Sequence, residues 1–225
     1  MPPVTKKLLF EALLSLQEYS KEPRRDTLNL DAIGLAPDGG VQNIVAVYNQ
    51  ASEAEKDYWG RWYHHAKADV AELAQEFNLD FRLTAGLVAV LSPGNKWHDN
   101  LMAAKRMLSQ APKINAYPIQ LAKAKRLLES GDFSVLETPK VKVFFASLLD
   151  PEKLQHELVL DSHAINVWRG QKVTLKDTQN PRAQALRAQM LHDYAQAAQQ
   201  VGTSVQAVQA VTWYIWKYGK HLGVA

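Results

Sequence analysis

Three short stretches of this 225-residue chain place polar groups capable of chemistry at the ends of apolar runs. In Leu158-Val159-Leu160-Asp161-Ser162-His163-Ala164 an apolar run delivers one carboxylate to what reads as a helix start. Asp161 can be an N-cap that accepts backbone N–H groups, and a carboxylate fixed in that way also suits catalysis, so the two roles are compatible. In Lys140-Val141-Lys142-Val143-Phe144-Phe145-Ala146-Ser147-Leu148-Leu149 two lysines occupy the first turn of an apolar helix. The positive pole of a helix disfavours a cation there, and the neutral amine is the form that acts as a nucleophile. The alternative is that both lysines extend into water or contact phosphate. The third stretch is Val88-Ala89-Val90-Leu91-Ser92-Pro93-Gly94-Asn95-Lys96-Trp97-His98-Asp99-Asn100-Leu101, an apolar helix that Pro93-Gly94 stops, followed at once by polar and aromatic groups. It reads either as one wall of a site or as an interhelical turn in which Ser92 or Asn95 caps and Trp97 packs.

Apolar residues recur at helical spacing along nearly the whole chain, and no run of strict alternation is long enough for a sheet, so the expected fold is all-α. Helices are expected at about 4–19, 42–50, 52–77, 83–91, 96–108, 118–129, 140–149, after Asp161, and at 182–200 and 204–218. Ser52 with Glu55 three residues on forms a capping box that opens the third of these. Polar, Pro- and Gly-bearing stretches at 20–40 and 170–181 read as long loops. The chain reads as an N-terminal helical region over 1–80, a central lobe over 81–158 carrying the lysine-bearing helix, and C-terminal helices over 159–225.

With 47% hydrophobic and 22% charged residues, the chain can bury a sizeable core. The absence of cysteine excludes disulfides, thiolate zinc sites, cysteine-held iron–sulfur clusters and a cysteine nucleophile. His64 and His65 are adjacent, so on a helix they point about 100° apart, unlike an i, i+4 metal pair; no metal and no cofactor are expected. No apolar run reaches membrane-spanning length and no signal peptide is evident, so a cytoplasmic monomer with no membrane partner is expected. The net charge of +3 only permits a polyanionic partner, but between Lys96 and Lys142 nine basic residues face four acidic ones. That surplus is either a solvated helix face or a nucleic-acid contact surface.

Taken together, the three stretches resemble the helix-hairpin-helix DNA glycosylase superfamily, which includes endonuclease III-like and 8-oxoguanine glycosylases, over about 83–169. The resemblance implies a multi-helix DNA-glycosylase-like fold, with the C-terminal helices packing with the N-terminal region and two helical lobes flanking a cleft, and a double-stranded DNA partner carrying a modified or damaged base. It implies catalytic roles for Lys142 and Asp161, which stand 19 positions apart; Lys140, at 21, matches the family spacing less well. Asn95 would fill the gap left by a flipped base, and Lys96, Lys140 and His163 would contact DNA. The family's Gly-x-Gly hairpin turn is replaced here by Leu136-Glu137-Thr138-Pro139-Lys140, which has no glycine and leaves Lys140 as the candidate phosphate contact. The implied activity is N-glycosidic cleavage, with or without abasic-site lyase chemistry. A DNA base-modification enzyme on the same scaffold and a DNA-binding protein without chemistry are the alternatives. The segments Tyr58-Trp59-Gly60-Arg61-Trp62-Tyr63-His64-His65 and 208–217 also resemble those of an uncharacterised group of bacterial and phage proteins. Trp59 and Trp62, like Trp213 and Trp216, are three apart and share a helical face, a spacing more typical of core packing than of a base-stacking platform.

Overall fold

The structure, a computed structural model, describes residues 33–173 and 186–218. The helix expected over 4–19 lies outside them, as do 20–32 of the first loop, 174–181 of the second, and 182–185. Among the described residues the fold is all-α, with ten α-helices and no strand. In chain order they are α1 (Val41–Tyr48), α2 (Glu53–Gly60), α3 (Trp62–Glu76), α4 (Phe81–Leu91), α5 (Trp97–Leu108), α6 (Pro118–Ser130), α7 (Pro139–Leu149), α8 (Ser162–Arg169), α9 (Arg187–Val201) and α10 (Val205–Tyr218). None of these helices is long and apolar enough to cross a membrane.

The helix expected over 52–77 is broken at Arg61 into α2 and α3. Gly60, which lacks the Cβ that favours continued helix, precedes the break, and such residues are where helices bend. At the other end the capping box forms in both directions: Ser52 Oγ accepts from Glu55 N at 3.3 Å, and Ser52 N donates to Glu55 Oε2 at 2.7 Å. Ser52→Ala is expected to cost about 1 kcal/mol, read as a lower urea midpoint; an unchanged midpoint would show that the box adds nothing.

The bend divides the chain between two hydrophobic cores. α1 and α2 join α8, α9 and α10 around Ile44, Val47, Trp59, Val167, Tyr194 and Ile215. α3 instead joins α4 to α7 around Val70, Leu87, Leu91, Leu127 and Leu148. Among the described residues the two cores part at Gly60–Trp62, because α3 packs against α4 and α7. α4 is the centre of the second core: every residue from Thr84 to Leu91 is buried, as its all-round apolar pattern demands. The extended segment before α8 runs between the cores. Leu158 belongs to the first and Val159 to the second, the alternation of a strand-like backbone.

Candidate functional site

A cavity of about 130 Å³ lies where the two cores meet. Trp59 of the first core and Tyr63, Val159 and Ala210 of the second all line it. Each element contributes the residues its own period brings to one side. The α2–α3 bend supplies Trp59, Trp62 and Tyr63; α5 supplies Trp97 and Asn100, three apart; α10 supplies Gln209, Ala210 and Trp213. The extended segment supplies Val159 and Asp161, two apart, and α7 supplies Lys140 and Phe144, four apart. The walls are therefore largely aromatic. Trp62 meets Trp97 edge-on at 5.3 Å between centroids and lies parallel to Phe144 at 6.2 Å. Trp97 is held by donating its Nε1–H to Asp69 at 2.6 Å. The Tyr63 hydroxyl donates to Gln209 Oε1 at 2.9 Å, and burial pushes that phenol up, so it remains a donor.

Asp161 is the carboxylate of this cavity. Its Oδ1 accepts from Ala164 N at 2.9 Å, capping α8, while Oδ2 accepts from Trp213 Nε1 at 3.2 Å. The sequence alternatives of cap and site residue thus meet in one side chain: the cap fixes the carboxylate on the cavity wall. His163 lies beside it, its ring edge-on to Trp213 at 5.6 Å, and Lys217 Nζ stands 4.0 Å over the other ring of that contact, Trp213.

Burial pushes the His163 pKa below its ordinary value; Asp161 opposes the shift, and Lys217 and Lys140 add to it. The folded chain therefore binds fewer protons here than the unfolded chain does. The stability this confers is complete above the unfolded value of about 6.5 and is lost as pH falls from there through the lowered folded value. In His163→Leu the fall in Tm between pH 7 and pH 5 is expected to be smaller than in the wild type. Equal falls would assign the acid sensitivity to another group.

Of the residues expected to act, Asn95, Lys96, Lys140 and Asp161 line the cavity; His163 adjoins Asp161 and Trp213, and Lys142 is not on the lining. Two positions along a helix rotate a side chain by about 200°, so α7 cannot present both lysines to one side, and Phe144 shows which side faces the cavity. Asn95 donates to Leu91 O at 3.0 Å and Asn115 O at 3.2 Å, bracing the end of α4. The tryptophan pairs divide: Trp216 is core, Trp213 is wall, and Trp59 is both. Trp97 and Asn100 fall within the stretch read as one wall of a site, whereas Phe144 and Gln209 were not evident as site residues. The signal for Phe144 was its helical spacing from Lys140, which marks a site only once a facing helix is known.

The basic surplus also resolves into two groups. Lys105, Lys123, Lys125 and Arg126 pair with Glu76, Glu137, Glu129 and Asp132. Lys96, Arg106, Lys113, Lys140 and Lys142 make no ion pair among the described residues, and two of these, Lys96 and Lys140, line the cavity.

Residues 29–220 match a family described as a family of unknown function (DUF7178). The chain belongs to that family. No curated protein and no solved structure matches it.

Proposed function

We propose that this chain binds double-stranded DNA and excises a modified or damaged base, acting as an N-glycosylase. The observation that carries the reading is a fixed carboxylate, Asp161, on the wall of a small cavity built from four tryptophans, a tyrosine and a phenylalanine, with two lysines not in ion pairs on its lining. Aromatic walls suit a flat ring turned out of the duplex, and enzymes that act on a base must extract it from the stack. At about 130 Å³ the cavity is below the roughly 300–1,000 Å³ typical of drug-sized ligands and suits a single small ring system. Lys96 offers a contact to a flanking phosphate.

In this reading the bond from C1′ to the base breaks with its electron pair leaving on the base, which takes up a proton. Asp161 stabilises the positive charge that develops on the sugar. Lys140, which shares the cavity with Asp161, replaces Lys142 as the amine that attacks C1′; the surplus proton on nitrogen passes to Asp161 and from there to O4′, which leaves C1′ with its bonding pair as the ring opens to a Schiff base. Asn95, both of whose amide hydrogens are engaged, is the brace of its turn. Tyr117 is better suited to fill the gap in the duplex: it is 60% exposed, and its ring lies over Gly94, where an added Cβ would come within 2.7 Å.

Borohydride trapping on duplexes bearing an abasic site, uracil, hypoxanthine or 8-oxoguanine tests this. A covalent adduct is expected with the wild type and with Lys142→Ala but not with Lys140→Ala. Base release without an adduct would assign the attack to a water oriented by Asp161. Neither adduct nor base release on any duplex would overturn the reading.

A further inference from the structure

Two side chains lining the cavity each keep one buried polar atom without a hydrogen-bond partner among the described residues: Asn100 Oδ1, an acceptor, and Trp59 Nε1, a donor. The residues are only 1% and 3% exposed. Buried polar atoms are nearly always satisfied, so two on one small cavity call for an explanation.

Neither side chain is free to turn to another partner. At the end of α4, Ser92 N bonds to Ala89 O and leaves Val88 O for a side chain; Asn100 Nδ2 donates to it at 3.0 Å. Reversing the amide would set oxygen against oxygen, so Oδ1 is the atom left without a partner. The Trp59 ring is clamped on Tyr214, nearly parallel with centroids 4.3 Å apart, and edge-on to Tyr58 at 5.2 Å.

We infer that the cavity recognises a planar, uncharged heterocycle by its polar edge, Asn100 Oδ1 accepting from a ring N–H and Trp59 Nε1 donating to an acceptor on the same ring. The assignment rests on reading the cavity as a base pocket and names what that pocket reads. Aromatic walls with one carboxylate would also suit an organic cation, but Lys96 and Lys140 on the same lining outweigh Asp161 and disfavour a positive ligand.

The probes are methylated bases whose methyl group stands for the sugar: 1-methyluracil against 1,3-dimethyluracil, and 9-methylhypoxanthine against 1,9-dimethylhypoxanthine. The second member of each pair lacks the ring N–H. Binding is read by quenching of tryptophan fluorescence, since Trp59, Trp62, Trp97 and Trp213 line the cavity. In at least one pair the member with the N–H is expected to bind about tenfold more tightly. Asn100→Ala, which removes the acceptor and opens space for the methyl, brings that ratio toward one. Trp59→Phe keeps a ring but removes the donor, and weakens both members alike; circular dichroism and thermal melts show whether each variant is folded. No binding in either pair, equal binding within both pairs, or preferential binding of tetramethylammonium would overturn the assignment. Discrimination without base release from any duplex would leave it standing and remove the excision reading. Base release whose choice of base is unaltered in Asn100→Ala and Trp59→Phe would do the reverse.

Discussion

Under the proposed excision chemistry, Asp161→Asn is expected to lower base release by roughly 100- to 1,000-fold while the protein stays folded, the size of loss typical when one preorganised group that stabilises transition-state charge is removed. The two wild-type carboxylate oxygens accept from two separate N–H groups, Ala164 N and Trp213 Nε1. An asparagine can accept from only one of them, because its other terminal atom is itself a donor. The substitution therefore costs about 1 kcal/mol of stability through one lost hydrogen bond, and the larger loss falls on chemistry through the missing charge. Single-turnover base release and a urea melt separate the two effects. A release rate within threefold of wild type would remove Asp161 from the mechanism, whatever the melt shows.

Asp193→Ala is expected to be the most destabilising of the substitutions considered, by about 3 kcal/mol, or on the order of a hundredfold in the folding equilibrium. Asp193 is buried in α9 and accepts from Trp168 Nε1 at 2.6 Å and Gln189 Nε2 at 2.7 Å. It joins α9 to α8 at the point where the chain enters α1. Gly40, with φ of 54°, donates its N–H to Trp168 O at 3.0 Å there, and a Cβ on it would come within 2.7 Å of Asp193 Oδ2. Asn43 donates to the same Trp168 carbonyl at 3.1 Å and to Ala36 O at 2.7 Å. Alanine at 193 leaves the buried indole N–H without an acceptor and removes the anchor of this junction. For a chain of this size the loss corresponds to a Tm lower by about 6–12 °C. Asp193→Asn, which retains an acceptor for Trp168, is expected to lose less than half as much. A Tm for Asp193→Ala within 2 °C of wild type would show that the junction is held by packing alone.

Much of the local structure was legible before any contact was known, because it depends on neighbours within one or two turns. The capping box at Ser52, Asp161 as the cap of α8 and the stop at Gly202 are interactions that span five residues or fewer, and α4 shows itself as an apolar run within one helix. The same local logic made α2 and α3 look like one helix, since a single glycine costs a helix about 1 kcal/mol, which favours a break without by itself deciding it.

The site was less legible, for a physical reason. Spacing along α7 brings Lys140 and Phe144 to one side and turns Lys142 away from it, yet says nothing about which side meets the carboxylate. That is settled by the packing of α7 against α3 and α4, together with the extended segment that carries Val159 and Asp161 between the cores. The sequence by itself determined the helical class, most helix limits and the individual groups able to do chemistry. Only the tertiary structure decided that Lys140 shares a cavity with Asp161 and that Trp59, Trp62, Trp97 and Trp213 form its walls. Residues more than a hundred positions apart meet there, and their meeting depends on how two cores divide the chain at a bend, a property of the whole packing that no local pattern carries.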